Sequence, residues 1–354
     1  MAERILMKGN EAIAEAAIRA GCRHFFGYPI TPQTEVSAYL AKRMPKVGGC
    51  FLQAESEVAA INMVLGAAAA GVRVMTSSSS PGISLKSEGI SYIIGSDLPC
   101  VILNIQRGGP GLGGIQPSQA DYNQATKAPG HGDAHVMVFA PSTVQEMVTC
   151  IFDMFDLSEQ YRVPAMLLGD GLLGQMMEPV EFPDVKVTPA EKPWASNGHQ
   201  NKREHNVVNS LYLQPDQLEA KNIERFERYA QIQANETRAE AFETEDCDVL
   251  VVAYGASSRI ARSAVMNARA QGLKVGLLRP ITLWPFPQKE LLEASKTAKD
   301  ILVVEMSMGQ MVDDVKLALE CSKPVHFFGH TGGIIPTPAE VLEQLKTIAG
   351  GAAK

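Results

Sequence analysis

Short apolar runs alternate with helical patterns along the first part of the chain. His24–Gly27, Val72–Thr76, Cys100–Gln106, Val136–Ala140 and Ala165–Leu168 read as strands. Between them lie helical patterns. Ala12–Ala20, opened by Gly9-Asn10-Glu11, stops at Gly21, and Ser142 opens a long helix with Glu146 in its first turns. Strands alternating with helices predict a parallel sheet covered on both faces. The pattern then breaks. Residues 181–245 are polar, carry Pro183, Pro189, Pro193 and Pro215, and include a charged helical stretch over Asp216–Glu240. This reads as a surface connector. Alternation resumes with strands at Asp248–Ala253, Lys274–Leu278, Ile301–Val304 and Val325–Phe328, and a helix at Ser257–Ala270. The expected fold class is therefore α/β, with two doubly wound domains, 1–180 and 246–354, joined by the 181–245 connector.

Composition narrows the function classes. A chain of 354 residues has room for two cores. The net charge of -7 argues against a general nucleic-acid binder, which presents a basic face to phosphates. No signal-peptide pattern opens the sequence and no apolar run approaches a membrane span, so the expected location is the cytoplasm. Cys22, Cys50, Cys100, Cys150, Cys247 and Cys321 are scattered, with no C-x-x-C pair. That spacing argues against a disulfide framework, and against a zinc or iron–sulfur site held by this chain alone.

Four segments carry candidate chemistry. Gly27-Tyr28-Pro29-Ile30-Thr31-Pro32 follows a strand, at the edge where open α/β sheets bind ligands. Its prolines fix the backbone around Thr31, which suits a carboxylate or phosphate; a helix cap before proline is the competing reading. Glu57 precedes a small-residue helix, so its carboxyl can sit at a buried helix start and share a proton with a heterocycle; favouring the helix dipole is the simpler role. Thr76-Ser77-Ser78-Ser79-Ser80-Pro81-Gly82 offers hydroxyls after a strand, or only a polar cap. Arg107 ends an apolar strand and opens the glycine-rich stretch Gly108–Gly114, a position suited to pairing with a carboxylate. Two patterns are decoys. Gly108–Gly114 lacks the spacing of a dinucleotide fingerprint. Gly169-Asp170-Gly171 with Asn197 imitates a thiamine-diphosphate metal motif, but Asn197 falls in the connector rather than at a strand end. Gly255–Ser258 can bind an anion, but no acid, base or nucleophile set accompanies it, so the second domain reads as assembly scaffold.

Taken in order, Gly9-Asn10-Glu11-Ala12, Tyr28–Pro32, Glu55-Ser56-Glu57, Thr76–Gly82 and Asn104–Pro110 resemble the alpha-type subunits of 2-oxoacid:ferredoxin oxidoreductases. Leu278-Arg279-Pro280-Ile281 and Val304-Glu305-Met306 extend the likeness into the second domain. Within the family the likeness is greatest to the branched-chain (3-methyl-2-oxobutanoate) subunits, through Gln53–Glu57 and Gly169–Gln175. The resemblance implies a thiamine-diphosphate pyrimidine-binding domain followed by a transketolase C-terminal-like domain. It implies oxidative decarboxylation of a 2-oxoacid to acyl-CoA and carbon dioxide, with reduction of ferredoxin. Glu57 would hydrogen-bond the cofactor's aminopyrimidine, with Pro29, Ile30, Thr76, Ser77 and Ser78 around it. Thr31 and Arg107 would hold the substrate carboxylate. No metal is expected in this chain. Magnesium with the diphosphate site belongs to a beta subunit and the [4Fe-4S] clusters to partner chains, including gamma and ferredoxin-like delta subunits, in a dimer of heterotetramers. A 2-oxoglutarate enzyme and a non-catalytic α/β assembly protein are the alternatives.

Overall fold

The computed structural model describes residues 4–185, 187 and 190–351; Pro189, counted above among the connector prolines, lies outside them. β1 (Ile5–Lys8) runs directly into α1 (Gly9–Arg19), whose alanines and isoleucines are buried. The helix stops where Gly21 takes φ +84°, a left-handed position that glycine adopts without strain. The alternation continues through β2 (His24–Gly27), α2 (Thr34–Arg43), β3 (Cys50–Gln53), α3 (Glu57–Ala69), β4 (Val74–Ser78), α4 (Ser80–Gly95) and β5 (Val101–Gln106). Next come α5 (Tyr122–Thr126), β6 (Met137–Phe139), α6 (Val144–Tyr161), β7 (Ala165–Asp170), α7 (Gly171–Gln175) and β8 (Met177–Val180). The later half holds α8 (Pro215–Asn235), β9 (Ala239–Phe242), β10 (Val249–Val252), α9 (Gly255–Ala270), β11 (Val275–Pro280) and β12 (Thr282–Trp284). It ends with α10 (Gln288–Ala294), β13 (Asp300–Glu305), α11 (Met311–Ala318), β14 (Val325–Gly329) and α12 (Pro338–Gly351).

The first sheet has the order β12-β6-β7-β5-β4-β2-β3 and is parallel except at β12. Its central strands β4, β5 and β7 are buried along their whole length, which is why they read as continuous apolar or small-residue runs. The second sheet runs β14-β13-β10-β11-β9, with β9 antiparallel at the edge. A two-stranded antiparallel ribbon of β1 and β8 completes the strands in the described residues. This is the expected α/β class with two sheets.

Three details differ from the expectation. β3 was not among the expected strands: it is an edge strand with half-exposed or exposed residues, and its apolar run is only Cys50-Phe51-Leu52. β9 falls inside the stretch read as connector, yet it adds to the second sheet, and the charged helix ends earlier, at Asn235. The cap of α6 is Thr143 rather than Ser142. Thr143 Oγ1 accepts from the Glu146 amide at 3.0 Å, while the Glu146 carboxylate returns to the Ser142 amide at 2.7 Å. The reciprocal pair satisfies two amides at the helix start.

Candidate active site

β2 lies between β3 and β4, and the chain leaves it to one side for β3 and returns on the other for β4. This reversal makes a crevice at the carboxyl ends of the strands, where open α/β sheets bind ligands. The topology brings four segments to that edge: the Tyr28–Pro32 turn after β2, the start of α3 after β3, Ser78-Ser79 at the end of β4, and Arg107 after β5.

Glu57 is the first residue of α3 and is buried. Ser56 precedes it in extended conformation and caps the helix, its Oγ accepting from the Ala59 amide at 3.2 Å. A helix start favours a carboxylate there. α4 closes on this group at Gly82. A Cβ at that position would stand 2.7 Å from Glu57 Oε1 and 2.1 Å from Ser78 Oγ. Only a residue without a side chain permits the approach. Ser78 Oγ, Ser79 Oγ and Gln33 Nε2 are buried and have no hydrogen-bond partner among the described residues. Unpartnered buried polar atoms each cost about 1–3 kcal/mol, so a cluster of them marks a place for a polar ligand.

Thr76 and Ser77 were expected among the cofactor contacts, but their hydroxyls turn inward. Thr76 Oγ1 accepts from Lys86 Nζ at 2.6 Å, and Ser77 Oγ donates to Gln33 Oε1 at 2.6 Å. All four residues are buried; the hydroxyls of Thr76 and Ser77 are taken up by these partners, whereas those of Ser78 and Ser79 have none among the described residues. Pro29 and Thr31 are exposed and Ile30 is half-buried at the rim. Asn10 fixes this turn from behind, donating to the Pro32 carbonyl at 2.8 Å and to Glu35 at 2.9 Å.

Arg107 is buried at the end of β5. Nη1 donates to the Thr31 carbonyl at 3.0 Å and Nη2 to the Leu112 carbonyl at 3.1 Å, whereas Nε has no partner among the described residues. The backbone behind it is held by Ser80. Ser80 Oγ accepts from the Arg107 amide and donates to Asp121, which also accepts from Asn104 at 3.0 Å. Burial pushes the Asp121 carboxyl up despite those hydrogen bonds and the nearby Arg107 charge. The second sheet's domain completes this support. Gln119, just past the glycine-rich loop, accepts from Ser257 Oγ at 2.6 Å and the Met306 amide at 3.0 Å, and donates to the Tyr254 carbonyl at 2.9 Å. A Cβ on Gly333 would stand 2.3 Å from Gln116 Cβ. The domain read as scaffold therefore also braces the loop that Arg107 opens.

The remaining sequence candidates resolve differently. Gly255 does open a helix, but the chain's own carboxylate faces that end: Asp170 Oδ2 lies near Gly255 and receives the Ala256 amide. Asp170 also caps α7 through the Leu172 and Leu173 amides. Asn197 accepts from Arg203 instead. No group of three or more His, Cys, Asp or Glu side chains suited to a metal occurs among the described residues. Gln33, Asp121 and Lys86 were missed. The signal for Lys86 is its spacing from Gly82 and Gly89, which marks a closely packed helix face rather than a solvated one.

Residues 15–251 match the family described as "Pyruvate flavodoxin/ferredoxin oxidoreductase, thiamine diP-bdg", and residues 247–341 match "Pyruvate:ferredoxin oxidoreductase core domain II". The chain is 48% identical over 346 residues to ketoisovalerate oxidoreductase subunit VorB of Methanothermobacter thermautotrophicus, covering 98% of each.

The chain belongs to the 2-oxoacid:ferredoxin oxidoreductase family.

It is a subunit of such an oxidoreductase, as the motif resemblance implied. The 2-oxoglutarate synthase subunit KorA of Methanothermobacter marburgensis is 35% identical, covering 98% of this chain and 99% of that one. Among solved structures, a 2-oxoglutarate:ferredoxin oxidoreductase from Magnetococcus marinus, with 2-oxoglutarate, coenzyme A and succinyl-CoA bound, superposes with a TM-score of 0.85 at 28% identity. The match covers 98% of this chain and 65% of that longer one. A split-gene transketolase at 14% identity and TM-score 0.60 shares the fold.

Proposed function

We propose that this oxidoreductase subunit binds the aminopyrimidine end of thiamine diphosphate, in an enzyme that decarboxylates a branched-chain 2-oxoacid to acyl-CoA and carbon dioxide while reducing ferredoxin. The observation that carries the cofactor reading is the buried Glu57 carboxyl facing Gly82, with the unpartnered Ser78 hydroxyl beside it. That donor set fits a flat, polar heterocycle. When bound, thiamine diphosphate supplies a carbon nucleophile and an electron sink for loss of carbon dioxide. Glu57 would hold or take the proton at a ring nitrogen of the aminopyrimidine. Ser78 would contact the cofactor with Pro29 and Ile30 at the rim, and Thr76 and Ser77 would support them from behind. Arg107 would pair with the substrate carboxylate beside Thr31, through donors not committed to the Leu112 and Thr31 carbonyls.

Two observations favour a branched-chain substrate. Full-length identity is greater to the ketoisovalerate subunit than to the 2-oxoglutarate subunits. In addition, Leu112 and Ile115 expose apolar side chains on the loop that Arg107 opens, where a second carboxylate would want a cation. The proposed partners are a beta subunit holding the diphosphate and magnesium, gamma and ferredoxin-like delta subunits holding [4Fe-4S] clusters, ferredoxin and coenzyme A, in the cytoplasm. The test is coenzyme A-dependent viologen reduction by the purified native complex, with 3-methyl-2-oxobutanoate and 2-oxoglutarate side by side. A kcat/KM about tenfold or more in favour of the branched acid is expected. The reverse preference would move the substrate to 2-oxoglutarate. No turnover of any 2-oxoacid, from a complex containing cofactor and clusters, would reject the enzyme reading.

A further inference from the structure

Asp121 is buried, and none of the roles above uses its carboxylate. Burying a carboxylate is unfavourable unless hydrogen bonds answer it. Asp121 directly precedes α5, where an aspartate ordinarily turns back to cap the helix amides. It makes no such bond. Its Oδ2 instead accepts from Ser80 Oγ at 2.6 Å and from Asn104 Nδ2 at 3.0 Å. Asn104 Oδ1 accepts in turn from the Ser80 amide at 3.2 Å. The three residues thus close a buried ring between the start of α4, β5 and the segment before α5.

Ser80 is the member of this ring that meets Arg107. A serine hydroxyl has one proton to give and can also accept. Two acceptors stand within its reach: Asp121 Oδ2 at 2.6 Å and the Arg107 carbonyl at 3.2 Å. The shorter, charge-assisted bond takes the proton. An ionised carboxylate only accepts, so the direction of this bond is fixed. Ser80 Oγ then keeps a lone pair for the Arg107 amide, which donates to it at 3.0 Å. The terminal nitrogens of the guanidinium go to the Thr31 and Leu112 carbonyls, not to a carboxylate. A direct ion pair with Asp121 would compete with an incoming substrate carboxylate. With Ser80 between them, Asp121 holds the backbone of Arg107 and leaves its charge unengaged.

Asp121 is itself held from both domains. Its amide donates to Gln106 Oε1 at 3.0 Å, and Gln106 Nε2 donates to the Gly169 carbonyl of β7 at 3.2 Å. From the second sheet's domain, Gln310 donates to the Ala120 carbonyl at 2.7 Å and accepts from the Asn123 amide at 2.8 Å. The residues flanking Asp121 are therefore clasped, and the carboxylate is a fixed point to which Ser80 is drawn.

We propose that Asp121 is a positioning residue for Arg107: through Ser80 it fixes the end of β5, so that the guanidinium stands in place for the 2-oxoacid carboxylate. This inference rests on the reading of Arg107 given above. It makes the affinity for 2-oxoacid, rather than for thiamine diphosphate, depend on Asp121.

The experiment is steady-state kinetics of the assembled complex with 3-methyl-2-oxobutanoate. Calorimetric titration of the cofactor-depleted complex with thiamine diphosphate and magnesium runs alongside. The proteins are wild type, Asp121→Ala, Ser80→Ala, Arg107→Ala and the double variant of Asp121→Ala with Arg107→Ala. Asp121→Ala should raise KM about tenfold, the size of effect expected for one charge-assisted hydrogen bond, with kcat changed less than about threefold and cofactor affinity less than about twofold. Ser80→Ala removes the same link and should raise KM similarly. In the Arg107→Ala background, loss of Asp121 should change KM less than about twofold, since coupled residues lose their interaction together. Equal effects of Asp121→Ala with either residue at position 107 would reduce Asp121 to a general structural role and overturn the inference. So would a loss of cofactor affinity with KM unmoved. If Asp121→Ala does not assemble, Ser80→Ala alone decides: a raised KM with cofactor affinity kept supports the inference, and an unmoved KM rejects it. An unchanged KM in Arg107→Ala would instead strike the underlying reading of Arg107.

Discussion

Arg107 donates from Nη1 to the backbone carbonyl of Thr31 across 3.0 Å. The bond joins the end of β5 to the turn after β2, with the end of β4 between them. It therefore fixes the guanidinium over the crevice, with Nε unpartnered among the described residues. Replacing Arg107 with alanine should raise the KM for 2-oxoacid and lower kcat/KM by about a hundredfold, the worth of a charge-assisted pair. Lysine lacks the planar fork and should restore little of this. Steady-state kinetics of the assembled complex, with cofactor titration alongside, checks it. Weakened cofactor binding with an unchanged KM would show that Arg107 serves the cofactor instead.

Gly82 should tolerate no side chain. Alanine there would press on Ser78 Oγ and Glu57 Oε1. Displacing a reacting group by about an ångström can lower rates about a hundredfold, so Gly82→Ala should lose both cofactor affinity and turnover. Gly66 makes the contrast on α3, where a Cβ meets nothing within 4 Å. Gly66→Ala should leave kinetics alone and stabilise the helix by roughly 0.5–1 kcal/mol. Equal tolerance at both positions would mean that the approach of α4 to Glu57 is unimportant.

Asp170 supplies a pH dependence. It is fully buried, and burial pushes its carboxyl from 3.8 to about 6 despite amides from Leu173, Leu172 and Ala256. Between those values the folded chain holds a proton that the unfolded chain has released. The stability from this group is therefore fully present below pH 3.8 and lost as pH rises through about 6. Asp170→Asn cannot ionise. Its unfolding free energy relative to wild type should improve by roughly 2 kcal/mol between about pH 4 and pH 7. Denaturant midpoints across that range test this, and parallel curves would contradict it.

Much of the fold was legible because buried parallel strands leave continuous runs, as at Val101–Gln106 and Ala165–Asp170. β3 was not, since this exposed edge strand carries only the short run Cys50-Phe51-Leu52. β9 was hidden because it joins the second sheet by only one edge, next to a charged helix. At the site, Glu57 and Arg107 were visible as charges interrupting small or apolar stretches. The inward turn of Thr76 and Ser77 was not, because five successive residues with hydroxyls look alike until the end of the strand, at Ser78, is known. Lys86 escaped for a related reason. In sequence it resembles any lysine on an amphipathic helix, and its spacing from Gly82 and Gly89 gains meaning only from the packing of those glycines against α3, which leaves Lys86 buried.

The most direct test of the site is Glu57→Gln in the assembled complex. Glutamine keeps the shape and a hydrogen bond but can neither hold nor return the proton. Turnover with 3-methyl-2-oxobutanoate should fall by about a hundredfold or more, while gel filtration shows the same assembly as wild type. Turnover within a few-fold of wild type, from an intact complex, would contradict the placement of Glu57 at the centre of the chemistry.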